Sequence, residues 1–468
     1  MSRGGAERDA GPPPHAHVVL AASGGRDSLG ALLALRQWQA EGRFARLSAV
    51  HVDHGLHPDA ADWARQTREQ AAALGVPATV VPVTVTRRRQ GQGRGSLEAA
   101  AREARYAALD RALADAAATD PAHPPVLVTA HHAEDQAETV LLALMRGSGS
   151  RGLSGMAAWR ARGRFHHWRP FLHWPRERLE ALAAESALPW VDDPSNEDPG
   201  FARNFVRHRV LPAVRGYWPD AVSRIDASAG RLAEEQALLA EMAREDAGVP
   251  LDSTVIELAP LDGLSPARRL NVVRQWLAAL GCLPPPAERL AEWMKQVATA
   301  AADRQPRLEW PGGQLRRWGG RLWWLAGEPL PPASVDWPAE TAEVDAGPVR
   351  LRRYRTGPEA PAVIGVQAVA AGDWRVRPVS GRERLRETPG APSRALSKRF
   401  QEAGIPPWER AAAVGIEIGG RLAAVRVVGQ WWVEADFRPM DGQPGWALDV
   451  SGVSEPPAPS ARPGGLSG

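Results

Sequence analysis

The sequence predicts an α/β fold for its first half, a Rossmann-like parallel sheet, followed by a helical middle domain and a small α+β C-terminal domain. Three observations carry this. Between residues 17 and 146, short valine-rich runs alternate with leucine- and alanine-rich segments of helical period. Residues 216–305 keep the helical period without such runs. Beyond residue 306, glycine pairs separate short apolar runs, as in strands joined by tight turns.

Taken in order, residues 1–16 and 453–468 are rich in Pro, Gly and Ala and are expected to be disordered tails. Val18–Ala22, Leu47–Val52, Ala78–Val85 and Val126–Thr129 read as buried strands. Helical patterns cover 26–40, 58–74, 96–117 and 134–146. Such alternation makes the strands parallel, with right-handed crossovers. Residues 147–215 loosen into Gly-, Trp- and Pro-rich turns with short helices, closing a first domain at 17–215. In the middle domain, 216–330, residues 223–247 form the clearest amphipathic segment. RLEWPGGQLRRWGGRLWWLAG, 307–327, has the spacing of a β-meander, and 329–346 reads as a linker. The C-terminal domain, 345–452, alternates strands with one helix near 393–403.

Bulk properties narrow the function. At 468 residues the chain exceeds one hydrophobic core. Cys282 is the only cysteine, so no intramolecular disulfide forms and a reducing, cytoplasmic setting fits. No apolar run approaches the ~20 residues that cross a bilayer. The net charge is +3, yet residues 350–410 hold 13 Lys plus Arg against 6 Asp plus Glu, a local balance of +7. A basic surface there points toward nucleic acid. A solvated face in an arginine-rich chain, with Lys295 and Lys398 its only lysines, is the plainer account.

The chemistry concentrates where strands meet helices. Ser23-Gly24-Gly25-Arg26-Asp27-Ser28 joins the first strand to the first helix. At the carboxyl edge of a parallel sheet, glycines bring backbone N–H groups close to phosphate and the helix start adds its positive end. The serines supply hydroxyls, and Asp27 suits Mg²⁺. No Gly-Lys-Ser/Thr follows, so this is not the lysine-bearing phosphate loop, nor is it GxGxxG. A plain glycine turn is the alternative; the complete string directly after a first strand argues against it. HVDHGLHPDA (51–60), GSLEAAAREARYAALD (95–110) and LVTAHHAEDQAETVLLALMRGSGSRGLSGM (127–156) lie at the same edge. His132, Asp135 and Glu138, three residues apart, share nearly one helical face and could serve Mg²⁺ or an ammonium, or simply cap the helix. Arg102, Arg105 and Arg146 could neutralise phosphate or merely solubilise a helix.

The Ser23–Ser28 string resembles the pyrophosphate loop of the N-type ATP pyrophosphatases, the PP-loop superfamily. Together with the three other segments it resembles the tRNA(Ile)-lysidine synthetases. The likeness continues in RPFLHWPRERLEALA (169–183), PWVDDPSNEDPGFARNFVRHRVLP (189–212) and SRALSKRFQEAGIPPWERAAAVGI (393–416). The resemblance implies a two-step reaction on tRNA(Ile) with a CAU anticodon. The wobble cytidine is adenylated by ATP with loss of pyrophosphate, and free L-lysine then displaces AMP to leave lysidine. On this resemblance Ser23, Gly24, Gly25, Arg26, Asp27 and Ser28 hold pyrophosphate and Mg²⁺, while Val52 and Asp53 flank the adenosine. Arg105 and His132 lie near the phosphates and the cytidine. Asp135 and Glu138 bind Mg²⁺ or the lysine amine. Asp193, Asn196, Arg203, Asn204 and Arg207 shape the lysine and anticodon side, and Lys398, Arg399 and Arg410 contact tRNA. A homodimer is implied as well.

Some features depart from the pattern. RRRQGQGRGS (87–96), with Arg94, is unusually basic and glycine-rich, and 376–398 lacks a compact Gly-Gly-Glu element. Trp408 is read as core rather than as an RNA-stacking residue. A thiolase would need a cysteine pair, and an amidotransferase an N-terminal cysteine; neither is present. A catalytically silent RNA-binding relative would have lost an acid, whereas Asp27, Asp135 and Glu138 are all kept.

Overall fold

The computed structural model describes residues 11–55, 57–84, 94–193, 200–301, 304–357, 362–365, 373–440 and 443–452, with backbone alone at 94–99. The chain divides into two units, residues 1–238 and 239–468.

The first unit is built on strands β1 (His17–Ala21), β2 (Arg46–Asp53), β3 (Ala78–Pro82) and β4 (Pro125–Val128). Helices α1 (Arg26–Ala40), α2 (Ala60–Ala73), α3 (Arg94–Thr119) and α4 (Ala133–Met145) follow them in turn. These bounds lie within a few residues of the sequence expectation. Residues 159–168 differ, because they form a hairpin, β5 (Trp159–Arg162) and β6 (Phe165–Trp168), where turns were expected. Arginines at 160, 162 and 164 hide the alternation. At the edge of a sheet such residues can face water, and Arg162 instead grips Asp110 of α3 with two hydrogen bonds of 2.5 and 2.6 Å.

The sheet order is β3-β2-β1-β4-β6-β5, parallel except for the β5–β6 pair. Both faces are buried, as a parallel sheet requires. Val18, Leu20, Leu32, Leu35 and Phe171 meet on one side, and Val19, Val50, Leu109, Leu113 and Leu127 on the other. Burying each such side chain stabilises by about 1.5–3 kcal/mol. Residues 11–16, expected in a disordered tail, are tied down: Ala16 is buried and its carbonyl accepts from Arg46 N.

After α4 come α5 (Ser150–Leu153), α6 (Arg176–Glu185), α7 (Ala202–Phe205), a π-helical stretch at Val206–Val210, α8 (Leu211–Tyr217) and α9 (Ala221–Ala247). Helices α1 and α6 pack so closely that a Cβ on Gly30 would lie 2.2 Å from the Leu179 carbonyl oxygen. That contact fixes the start of α6 beside the start of α1.

In the second unit, β7 (Val255–Glu257), β8 (Arg307–Trp310), β9 (Gly313–Trp318) and β10 (Arg321–Leu325) form an antiparallel sheet. Helices α10 (Pro266–Ala279) and α11 (Ala287–Thr299) cover it, with Trp276, Trp293, Trp310 and Trp324 in the core. The stretch expected to be a linker instead holds strands Val335–Trp337 and Glu343–Ala346. Its prolines masked them, but Trp337 is 1% exposed. They join antiparallel sheets of five and four strands, accompanied by α12 (Leu396–Glu402) and α13 (Pro407–Ala411). Trp408 is buried, edge-on to Trp318 and Trp323, a core residue as read from the sequence.

Much of the basic balance of 350–410 is spent internally. Arg375 pairs with Asp336, Arg377 with Glu383 and Glu417, and Arg386 with Glu434 and Asp436. Arg353 is buried with its guanidinium 4.7 and 4.8 Å from the rings of Trp337 and Trp374. Among the described residues no helix is long and apolar enough to cross a membrane.

Candidate active site

A sheet ordered β3-β2-β1-β4 reverses its winding between β1 and β4. The loops leaving these two strands frame the crevice where such sheets bind ligands.

The first loop, after β1, is held open by its neighbours. Gly24 has φ +80. A Cβ there would lie 2.5 Å from Thr67 Oγ1 of α2, so the position needs glycine twice over. The Gly24 carbonyl accepts from Val191 N at 2.9 Å and from the buried Gln70 amide at 3.0 Å, while Gln70 also reaches the Pro189 carbonyl. Ser28 Oγ accepts from Ser23 N at 3.0 Å. The N–H groups of the first turn of α1 have no carbonyl behind them, the arrangement by which a helix start favours an anion. Arg26 lies over the Trp190 ring and reaches Glu180 at 3.4 Å.

The second loop, after β4, ends in His132, which caps α4. Its Nε2 lies 3.6 Å from Asp27 Oδ2 and 3.4 Å from Asp135 Oδ2, and its Nδ1 3.1 Å from Glu134 Oε2. Burial alone would lower the His132 pKa. Bonds to Asp27 and Glu134 and the charge of Asp135 reverse this and raise it to about 10, so the ring is an imidazolium. Burial pushes Asp27 upward, yet His132 and Arg176 hold it below the usual carboxylate range. Arg176, at the start of α6, donates from Nε to Asp27 at 3.2 Å and from its backbone N to Glu134 at 3.0 Å.

Deeper in, Glu138 is completely buried and clamped by two guanidinium groups. Arg203 Nε and Arg207 Nε each donate to it at 2.6 Å, and both arginines also reach Asp135 Oδ1, at 3.0 and 3.1 Å. Burial raises the Asp135 pKa, but His132, Arg203, His131 and Arg207 outweigh it and bring it to about 2. A cavity of about 190 Å³ opens here, with His132, Glu134, Glu138, Arg176, Arg207 and Arg215 in its wall. It is below the ~300–1,000 Å³ of sites for drug-sized ligands, too small for a whole nucleotide.

Beside this charged cluster sits a neutral one. Thr129 Oγ1 lies 2.6 Å from His131 Nδ1 and 2.9 Å from His167 Nε2. Burial and nearby arginines push the His131 pKa to about 3, against the pull of Asp135. Burial and Arg169 push His167 to about 2. Both rings are neutral at physiological pH.

The structure thus brings together Ser23–Ser28, His132, Asp135, Glu138, Arg203 and Arg207. Val52 and Asp53 end β2, and Asp53 accepts from Gly55 N at 2.8 Å. Arg105 is exposed and donates to His54 at 3.3 Å. Asn204 is buried, Asp193 half-buried, and Asn196 lies outside the described residues, as does 87–93. Lys398 is exposed, whereas Arg399 is paired with Glu387 at 2.6 Å and Arg410 donates to the Ile405 carbonyl at 2.7 Å. Those two arginines are built into the second unit rather than presented at its surface. Sequence reasoning missed Arg176, Glu134, Thr67 and Gln70. Arg176 and Glu134 stood inside segments already singled out, but nothing in their spacing marked them.

Asp27, whose Oδ1 accepts from Arg176 at 3.2 Å and whose Oδ2 lies 3.6 Å from His132 Nε2, is held less tightly than Asp135 and would lend one carboxylate oxygen to Mg²⁺, the remainder being phosphate oxygens and water. Asp135 does not fit: one oxygen accepts from Arg203 and Arg207, and the other from His132 N at 3.1 Å. Among the described residues no three His, Cys, Asp or Glu side chains are grouped to hold a metal.

Comparison with known proteins matches three stretches of the chain. The PP-loop domain family matches residues 6–214, the TilS substrate binding domain 257–323, and the TilS substrate C-terminal domain 374–450. The chain is 45% identical over 426 residues to the tRNA(Ile)-lysidine synthase of Alkalilimnicola ehrlichii, covering 89% of this chain and 90% of that protein. It is 40% identical over 414 residues to that of Ralstonia nicotianae, covering 86% and 87%. It is 36% identical over 451 residues to that of Serratia proteamaculans, covering 93% and 95%.

Proposed function

The chain belongs to the tRNA(Ile)-lysidine synthase family, and from that premise we propose how its residues carry the reaction. It uses ATP to form lysidine in tRNA(Ile), a carbon–nitrogen ligation. In our reading the substrates are free L-lysine and a CAU anticodon, and the wobble cytidine is first adenylated. The α-phosphorus bonds the cytidine C2 oxygen as pyrophosphate leaves; the ε-amine of lysine then bonds C2 as AMP leaves.

The observation that carries this reading is the meeting of Asp27, His132 and Arg176 where the β1 and β4 loops converge. Backbone N–H groups at the start of α1, with Ser23 and Ser28, bind the β- and γ-phosphates. Bound Mg²⁺, held through Asp27, would neutralise phosphate charge. His132 as imidazolium stabilises negative charge developing on the transferred phosphoryl group without giving up its proton. Arg203 and Arg207 fix Asp135 and Glu138 in place, and with His132 they hold Asp135 below the usual carboxylate range, so this acidic pair is set to orient cationic groups. Asp193 and Asn204 flank the lysine and anticodon side. Lys398, with its exposed ammonium, contacts phosphate. A single cysteine and the lack of a membrane-crossing helix among the described residues suit the cytoplasm.

The test combines purified protein, Mg-ATP, radiolabelled lysine and unmodified tRNA(Ile) with a CAU anticodon. Label enters that tRNA, not elongator methionine tRNA, and Asp27→Ala abolishes it. Pyrophosphate release without label would leave the adenylation and reject lysine as nucleophile. Neither signal would reject the reading.

A further inference from the structure

We propose that Tyr217 and Trp218 form a stacking platform for unpaired nucleotides of the tRNA next to the reacting base. The proposal rests on the tRNA(Ile) reading above. All 19 tryptophans lie among the described residues, and Trp218, 50% exposed, is the most exposed of them. Tyr217, at 77%, is the most exposed large apolar side chain among the described residues. The two rings are 4.5 Å apart and edge-on at 72°.

Their position ties them to the site. Helix α8 begins in the cavity wall with Leu211 and Pro212 and ends at Tyr217. Seven residues span about 10 Å. Two residues before Tyr217, Arg215 reaches Glu177 at 3.2 Å and Glu134 at 3.7 Å. Residues 200–218 include Arg203, Arg207, Arg209 and Arg215 and no carboxylate. Arg203 and Arg207 are committed to Glu138 and Asp135, and Arg215 to Glu177 and Glu134, which leaves the exposed Arg209 on the helical run that leads from the cavity wall to the two exposed rings. Exposed rings with an arginine beside them match single-stranded RNA, whose bases stack on aromatics while its backbone meets arginine. A protein partner would call for a wider apolar patch with fewer charges.

The test uses the full-length chain and unmodified tRNA(Ile). Tyr217→Ala and Trp218→Ala should each weaken tRNA binding about 5- to 150-fold, the range of one lost base–aromatic stack. KM for ATP should hold, and Trp218→Phe should recover most of the loss. The loss should persist at high salt, whereas Arg209→Ala should lower the slope of log affinity against log salt by about one. Unchanged tRNA affinity in the double variant, with wild type active, overturns the platform alone. Loss of affinity that tracks a change in sedimentation overturns it in favour of contact with a second copy. A wild-type chain that neither binds tRNA nor makes lysidine overturns the functional reading and the platform with it.

Discussion

Gly24→Ala is the sharpest test of how the phosphate loop is built. At φ +80 an alanine pays the left-handed backbone cost of about 1–2 kcal/mol. Its Cβ would also lie 2.5 Å from Thr67 Oγ1 and 3.2 Å from Val191 Cγ2. Neither neighbour can swing aside freely: Thr67 Oγ1 donates to the Trp63 carbonyl at 2.8 Å, and Val191 N bonds the Gly24 carbonyl. Overpacking of this kind costs about 1–3 kcal/mol, so the total is about 2–5 kcal/mol. The strain falls on the loop, displaces Asp27, and should raise KM for ATP at least about tenfold, a difference of about 1.4 kcal/mol. Thr67→Ala removes the closest atom and by itself loses the hydroxyl's bond to the Trp63 carbonyl at 2.8 Å and its longer one, 3.4 Å, with His51 Nδ1, the former about 0.5–1.5 kcal/mol. The double variant should therefore regain the steric part and keep the backbone part. ATP-dependent pyrophosphate exchange and thermal denaturation of the four proteins measure this. A Gly24→Ala chain with wild-type KM and melting, or a double variant no better than the single, would refute the reasoning.

Three further outcomes follow from the same structure. Glu138→Gln leaves Arg203 and Arg207 with Asp135 as their one remaining shared buried anion and should destabilise the first unit by about 3–5 kcal/mol; chemical denaturation showing under about 1 kcal/mol would contradict the clamp. His131 and His167 have folded pKa values depressed to about 3 and about 2. Their unfolded values are near 6.5, so the stability they contribute is complete above that pH and fades as pH falls toward 3. His167→Gln should flatten the stability–pH slope in that window, and an unaltered slope would count against a neutral ring. Trp408→Ala should cost the second unit about 3–5 kcal/mol by cavity formation, read as a lower melting transition with the first unit unmoved.

The parallel sheet and the Ser23–Ser28 loop were legible because their causes are local: valine runs, helical period and a glycine pair at a strand end. Edge strands β5 and β6 were not, since their solvent faces carry arginine and blur the two-residue period. Strands in 329–346 were hidden by prolines, although Trp337 was already a hint of burial. In the site, Asp27, His132, Asp135 and Glu138 were found through spacing on one loop and one helix. What spacing could not give was the partner of each charge. Arg203 and Arg207 were read as substrate contacts, whereas they sit on Asp135 and Glu138 from more than sixty residues away. Arg176 reaches Asp27 only because Gly30 lets α6 approach α1, a tertiary fact with no local signature.

The π-helical stretch at Val206–Val210 sets the phase of everything after it. Each residue turns a regular helix by about 100°, and a π-bulge stores one residue more than an α-helix would use. Removing one residue from this stretch would let the chain relax into continuous α-helix and rotate α8 by roughly that angle. Arg203 would stay on Glu138, while Arg215 and the ring pair beyond it would turn away from the cavity. The irregularity therefore works as a phase setting between two registers of arginine. Within this helix a one-residue deletion should be more harmful than most substitutions.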